Sequence, residues 1–364
     1  PQLDIVSGTS VGAINGAFLA SVLHEPVAGV RRLTELWGGL QLERVLGFGA
    51  AQALRLRRVL YGGRDGAGIF DTAPLAKLVA TNLRWQDIGR NLRSERLTAL
   101  TVSATHVATG RPWCFVEHAP GRSLFVRPPP GMIVRPDHIR PEHVLASASI
   151  PVLFPPVAVE GELYVDGGLR FNTPMSPALR LGARRVLVIG LTSAPDGPPV
   201  PAFSPGVFPG VAFLVGKMLN AFLLDHVDAD FQELDRLNKL LDDGTAVFGP
   251  DFVDRLNAQS MAQGRAPRHR VHSVRIHPSE DIGRLAADHL RRHRAQFGKF
   301  LGRMLLQLLD LGEGADADLV SYLLFDGEFA RTLMDLGEAD ARRGEEELVR
   351  FFRGGSGQAV ESPP

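Results

Sequence analysis

A chain of 364 residues with 45% hydrophobic content carries enough apolar material for one large core, or for one core with an appended subdomain. Forty Lys and Arg offset forty Asp and Glu, so no global charge points to nucleic acid or an anionic surface as the main partner. The single cysteine, Cys114, excludes an intrachain disulfide, reads as a small core hydrophobe and fits a reducing compartment without excluding export.

Leu3, Ile5 and Val6 read as the end of a buried strand, residues 8–12 as a tight turn, and Val11 to Leu23 as a small apolar helix. The turn runs Gly8, Thr9, Ser10, Val11, Gly12, a G-x-S-x-G pentapeptide. Between a strand and a helix, this pattern describes a nucleophile elbow. Its serine takes a strained backbone conformation and sits exposed at a helix N-terminus, and the Val11 amide and the helix dipole face a developing oxyanion. The structural alternative is a glycine-rich βα turn that only lets a helix pack close to a strand. The glycines are followed by neither Lys-Ser nor Lys-Thr, which argues against a phosphate loop.

Val27 to Leu40 has helical spacing, with Val30, Leu33, Leu36 and Trp37 on one side. Residues 44–70 are rich in glycine and arginine; Arg55, Arg57, Arg58 and Arg64 alternate with apolar residues and read either as a basic flap over the site or as a solvated face. Asp71 caps a helix over Leu75 to Leu83. Leu97 to Ala104 and Pro112 to Glu117 form two paired strands about a turn at residues 108–110, and residues 122–140 form a proline- and arginine-rich loop. A helix over residues 141–148 leads through Ile150 to Phe154 into Pro155 and Pro156. A hairpin around Glu160 and Gly161 then runs directly into Asp166, Gly167 and Gly168.

After a short helix stopped by Gly182, Arg185 to Leu191 is a continuous apolar run of the kind found in a parallel strand covered on both faces. A proline-rich connection, a long or broken helix over residues 211–241, a short strand at residues 271–276 and charged helices over residues 281–310 and 317–352 complete the chain before a disordered tail. No run reaches eighteen apolar residues; the best, Val211 to Leu224, is interrupted by Lys217 and Asn220.

A serine hydroxyl needs a base within hydrogen-bond reach, and Asp166, at the end of a strand and before two glycines, is placed to be aimed at one. On its own, such a residue is equally an Asx-turn aspartate bonded to its own backbone. A Ser-Asp-His triad would draw most naturally on His277, after the last strand. His269, His272, His289 and His293 read as surface residues without zinc-site spacing.

Taken together, Gly8 to Gly12, the run from Ala104 through Ala108 to Pro112, the block Ala146, Ser147, Ala148, Ser149, Ile150, Pro151 with Phe154, Pro155 and Pro156, and Asp166 to Gly168 with Asn172, Thr173 and Pro174 resemble, in order and spacing, the patatin-like phospholipases. The resemblance covers about residues 1–195. With the strand patterns at residues 3–23 and 185–191, which argue an α/β sandwich, it implies a three-layer α/β sandwich with a mostly parallel central sheet; the catalytic domain is expected over residues 1–280, and the charged helical pattern gives a helical extension over 281–352 and a tail over 353–364. It further implies a cofactor-free Ser-Asp dyad, with Ser10 as nucleophile and Asp166 as general base; Gly8, Val11 and Gly12 shape the elbow and oxyanion site, and Gly167 and Gly168 the aspartate turn.

The implied activity is hydrolysis of lipid carboxylic esters through an acyl-enzyme, on a lipid or ester substrate met at a membrane or micelle interface in the cytoplasm or at a membrane periphery. A catalytically weak lipid-binding or scaffold protein is the alternative from another class. Family members carry a glycine-rich oxyanion loop before the elbow; the chain opens at Pro1, so the natural N-terminus is expected upstream, and without that loop the rate is expected to fall by roughly 10²–10³. Phe18, Leu19, Leu153, Phe154 and Phe171 are candidates for an acyl channel, with core packing as the alternative.

Overall fold

The computed structural model describes residues 3–47, 68–121, 131–170, 175–193, 216–219, 227–265, 267–297, 302–303 and 318–353. The basic stretch from Arg55 to Arg64, Phe171, most of the Val211 to Leu224 run and the tail from residue 354 lie outside them.

Strand β1 (Ile5–Thr9) feeds helix α1 (Val11–Val22) with a single residue, Ser10, between them. Helices α2 (Pro26–Gly38), α3 (Leu42–Val45), α4 (Ala73–Asn82) and α5 (Trp85–Arg93) follow. The N-cap of α4 is Thr72, not Asp71 as expected, because the helix begins at Ala73; Asp71, one residue earlier, still accepts the Ala73 amide on its Oδ1 at 2.9 Å and so serves the first amide of the helix. Strands β2 (Ala99–His106), β3 (Pro112–His118) and β4 (Ile133–Pro136) precede α6 (Pro141–Ser147), and the hairpin β5 (Val157–Val159) and β6 (Glu162–Asp166) ends in a single 3-10 turn, Gly167–Leu169. Both hairpin turn residues, Glu160 and Gly161, have positive φ (50° and 86°), the geometry that matches the twist of paired strands.

The main sheet has the order β4-β3-β2-β6-β5, with β1 also paired to β2. Helices cover both faces. On one, Ala13, Ala17 and Phe18 of α1 and Val144 and Ala146 of α6 pack against Leu100, Val102, Ala104 and Phe115. On the other, Ala99, Cys114 and Val116 lie under Leu181, just after α7 (Met175–Arg180). The α/β sandwich is therefore present, but its sheet is mixed: β1 with β2 and β3 with β4 are parallel, while β2 with β3, β2 with β6 and β5 with β6 are antiparallel. A mostly parallel sheet is not observed, because two hairpins supply its centre and one edge and a hairpin can only be antiparallel. Within the stretch read as a loop, residues 133–136 form β4 against β3.

The apolar run near residue 185 forms β7 (Arg185–Ile189), which is parallel as expected but pairs with β8 (His272–Ile276) in a separate two-stranded sheet. Only Val186 and Val188 are buried, and Ile189 is 73% exposed. An unbroken apolar run does not by itself reveal which sheet will cover it. Helices α8 (Val227–Phe248) and α9 (Phe252–Ala262) precede β8, so the helix expected over residues 211–241 is described chiefly from residue 227 onward and extends further. After α10 (Ile282–Arg292), α11 (Asp318–Ser321), α12 (Gly327–Arg343) and α13 (Glu345–Arg353) close the chain. Ala286, Leu290, Val320, Leu323 and Phe329 from this region share one buried cluster with Leu46, Phe70, Leu153 and Phe154. Among the described residues, no helix is long and apolar enough to cross a membrane.

Candidate active site

Strand β2 organises the site. One of its edges is taken by β3 over Ala99 to Thr105. Along its other edge β1 runs parallel to it from Ala99 to Ser103, and β6 runs antiparallel to it from His106 back to Ala104. Strands β1 and β6 are thus end to end on one edge, with their C-termini converging between Ser103 and Ala104. The residue after β1 is Ser10 and the last residue of β6 is Asp166, so positions 156 apart in sequence meet, and Ser10 Oγ donates a hydrogen bond of 2.6 Å to Asp166 Oδ2.

Each partner is held by its own turn. Ser10 has φ 56° and ψ −133°, a conformation few non-glycine residues adopt, and its side chain does not cap α1. The hydroxyl is turned to the carboxylate instead, which leaves the first amides of α1, Val11 and Gly12, without intrahelical partners at the positive end of the helix. The reversal requires Gly8: a Cβ there would lie 2.4 Å from the Gly12 carbonyl oxygen and 2.6 Å from Ala13 Cα. Gly12 is different, since a Cβ added to it meets nothing within 4 Å. On the other strand, a Cβ at Gly167 would lie 2.4 Å from the Ser103 carbonyl oxygen, so only glycine lets the aspartate turn close against β2.

Asp166 is 0% exposed. Its Oδ1 accepts the Gly168 amide at 2.8 Å, its own carbonyl accepts Thr105 Oγ1 at 3.0 Å, and its amide donates to the Ser149 carbonyl at 2.9 Å. The Asx turn and the contact with Ser10 are not alternatives, because the two carboxylate oxygens serve one each. Burial pushes the Asp166 carboxyl up from 3.8 to about 7, against the opposing pull of the Ser10 and Gly168 hydrogen bonds. The arrangement can accept a proton from a hydroxyl near neutral pH, which an ordinary carboxylate does poorly.

His277 is elsewhere, at the end of β8, with its Nδ1 beside the Pro278 carbonyl. It borders a cavity of about 280 Å³ with Arg275, Asp340 and Arg343. His289 is buried, not at the surface: its Nε2 lies 3.0 Å from Asp326 Oδ1 and its ring stacks on His293. Phe18, Leu153 and Phe154 are core residues, each 3% exposed or less. Cys114 is buried, and burial pushes its thiol up to about 12. Among the described residues, no group of three His, Cys, Asp or Glu side chains is disposed to hold a metal.

Two features of residues 147–152 escaped a reading of residues alone. Val152 has φ 71° and is 51% exposed in a buried segment, although no glycine or asparagine marks the position. Ser147, fully buried, accepts the Ser10 amide on its Oγ at 3.0 Å; the order of small residues from Ala146 to Ser149 was visible in the sequence, but not which hydroxyl would reach the elbow.

No curated protein matches the chain. A family model, that of the patatin-like phospholipases, matches residues 1–179 and so spans β1, the elbow, the α6 segment and the aspartate turn. Residues 1–179 accordingly belong to the patatin-like phospholipase family, whose members generally hydrolyse lipid esters.

Proposed function

We propose that the protein is a serine lipid acyl hydrolase that cleaves carboxylic esters through a Ser10–Asp166 dyad. The reading rests on the 2.6 Å hydrogen bond from Ser10 Oγ to a fully buried Asp166 carboxylate. As Ser10 Oγ attacks the ester carbonyl carbon, its proton passes to Asp166 Oδ2. The negative charge that develops on the carbonyl oxygen is placed at the N-terminus of α1, where the Val11 amide donates. Collapse of the tetrahedral intermediate expels the alcohol, which takes the proton from Asp166 and leaves an acyl-serine. Water then attacks the acyl carbon as Asp166 accepts one of its protons, and release of the fatty acid returns that proton to Ser10.

The catalytic unit is assigned to residues 1–280, with residues 281–352 as a helical extension that completes one of its apolar clusters. The substrate is a lipid ester presented at a membrane or micelle surface. Turnover of p-nitrophenyl butyrate tests the assignment: Ser10→Ala and Asp166→Asn are each expected to lower kcat by at least about 10³-fold, while His277→Ala retains wild-type turnover. A fluorophosphonate should label the wild type at Ser10 and leave Ser10→Ala unlabelled. Equal turnover by wild type and Ser10→Ala, or loss of turnover in His277→Ala alone, would overturn the dyad.

A further inference from the structure

We infer that Ser147 is a positioning residue of the site, its hydroxyl replacing a rung of the β1–β2 ladder where the nucleophile must leave the sheet. The inference rests on the hydrolase reading above and deepens it. The last Cα pair between β1 and β2 is Thr9 with Ser103, and from Ala104 onward the same edge of β2 belongs to β6. At this seam a backbone donor, the Ser10 amide, has turned out of register, and a backbone acceptor, the Ser103 carbonyl, would be left unpaired in a buried place. Either loss is costly in the absence of water.

The Ser147 hydroxyl meets both. Its Oγ accepts from the Ser10 amide at 3.0 Å and donates to the Ser103 carbonyl at 2.6 Å. The direction of each bond is not in question, because an amide only donates and a carbonyl only accepts; only a group with both capacities fits. Ser147 is the last residue of α6 and is 0% exposed, so its side chain is held from all sides.

Two residues on, the Ser149 carbonyl accepts the Asp166 amide at 2.9 Å. One short segment therefore grips the backbone on both sides of the dyad, the nucleophile through Ser147 and the base through Ser149. The spacing between the two reacting groups is set across α6 as well as along β2. A displacement of about 1 Å between reacting groups can cost about 100-fold in rate, so the hydroxyl of Ser147 acts on the chemistry without touching substrate.

The experiment compares Ser147→Ala, Ser147→Cys and Ser21→Ala with wild type in the full chain. Ser21 is a matched control: it is equally buried and its Oγ donates to the Phe18 carbonyl at 2.7 Å, near the far end of the elbow helix. On p-nitrophenyl butyrate, Ser147→Ala is expected to lower kcat by about 10- to 100-fold with KM within about twofold, and to move the acid limb of the pH profile upward as the Ser10 bond to Asp166 loosens. Hydrogen exchange at single-residue resolution should show the Ser10 amide losing protection in Ser147→Ala and keeping it in Ser21→Ala. Ser147→Cys keeps the branching with a slightly larger, weaker donor and acceptor; its kcat should fall below that of wild type with the Ser10 amide less protected, and this comparison stands by itself if Ser147→Ala fails to fold. Wild-type kcat and a protected Ser10 amide in the Ser147 variants would overturn the positioning role alone. Turnover that survives Ser10→Ala would overturn the hydrolase reading and this role together.

Discussion

At the scale of single residues, the carboxyl of Asp166 governs both stability and the expected pH dependence. In an unfolded chain an aspartate gives up its proton near pH 3.8, whereas burial in the folded protein holds it to about pH 7. Between those values the native state binds the extra proton, so stability falls as pH rises from about 4 to 7 and levels off above. Asp166→Asn removes the penalty. It is expected to be more stable than wild type by about 2–4 kcal/mol at pH 8, the order of a shift of about three units, with the difference shrinking toward zero near pH 4. Chemical denaturation at both pH values measures this. With Asp166 as the general base proposed above, kcat/KM of the wild type is expected to rise with pH to a plateau, with a midpoint near 7. A carboxylate of ordinary acidity would instead give a plateau from about pH 5, and an Asp166→Asn variant less stable at pH 8.

At the scale of elements, the site is a meeting of two turns that only backbone geometry could bring so close. Gly8 and Gly167 let the elbow and the aspartate turn press against main-chain atoms at distances no Cβ tolerates, while Gly12 faces open space. Gly8→Ala and Gly167→Ala should therefore each cost about 3 kcal/mol or more, since the obstructing atoms are backbone and cannot swing aside. Gly12→Ala, at the second position of α1, should change stability by no more than about 1 kcal/mol, because alanine favours the helix. Thermal unfolding of the three variants separates the two kinds of glycine, although the G-x-S-x-G pattern presents Gly8 and Gly12 as equivalents.

At the scale of the molecule, the C-terminal helices are part of the body that carries the site. Leu290, Phe297, Val320, Leu323 and Phe329 pack with Leu46, Phe70, Leu153 and Phe154, and Phe154 lies only five residues beyond the Ser149 carbonyl that holds Asp166. The Gly327 amide donates to the Leu40 carbonyl at 3.0 Å, and Arg331 Nη2 reaches the Gly38 carbonyl at 2.5 Å, so α12 is also fixed to the end of α2. Burying each large apolar side chain contributes about 1.5–3 kcal/mol. Exposing this side of the cluster would offset about 10 kcal/mol, comparable with the whole stability of a typical domain. A chain ending at residue 280 is accordingly expected to lose its cooperative thermal transition and to precipitate, as a thermal melt followed by light scattering would record.

What the sequence determined by itself is what short-range physics controls. The strand, turn and helix around Ser10, the hairpins at residues 99–118 and 157–166 and the helical character of α6 follow from glycine placement and apolar periodicity within a dozen residues. Asp166 was legible as a carboxylate at a strand end, and the order of the blocks pointed to its partner. The tertiary structure decided the rest, because strand pairing joins residues far apart and local patterns carry no record of the partner or its direction. It placed β1 and β6 head to head on one edge of β2, made the main sheet mixed, sent β7 to β8 and drew the C-terminal helices into a shared core. It also buried Asp166 completely, and that burial turns an ordinary acid into a group that titrates near neutral pH.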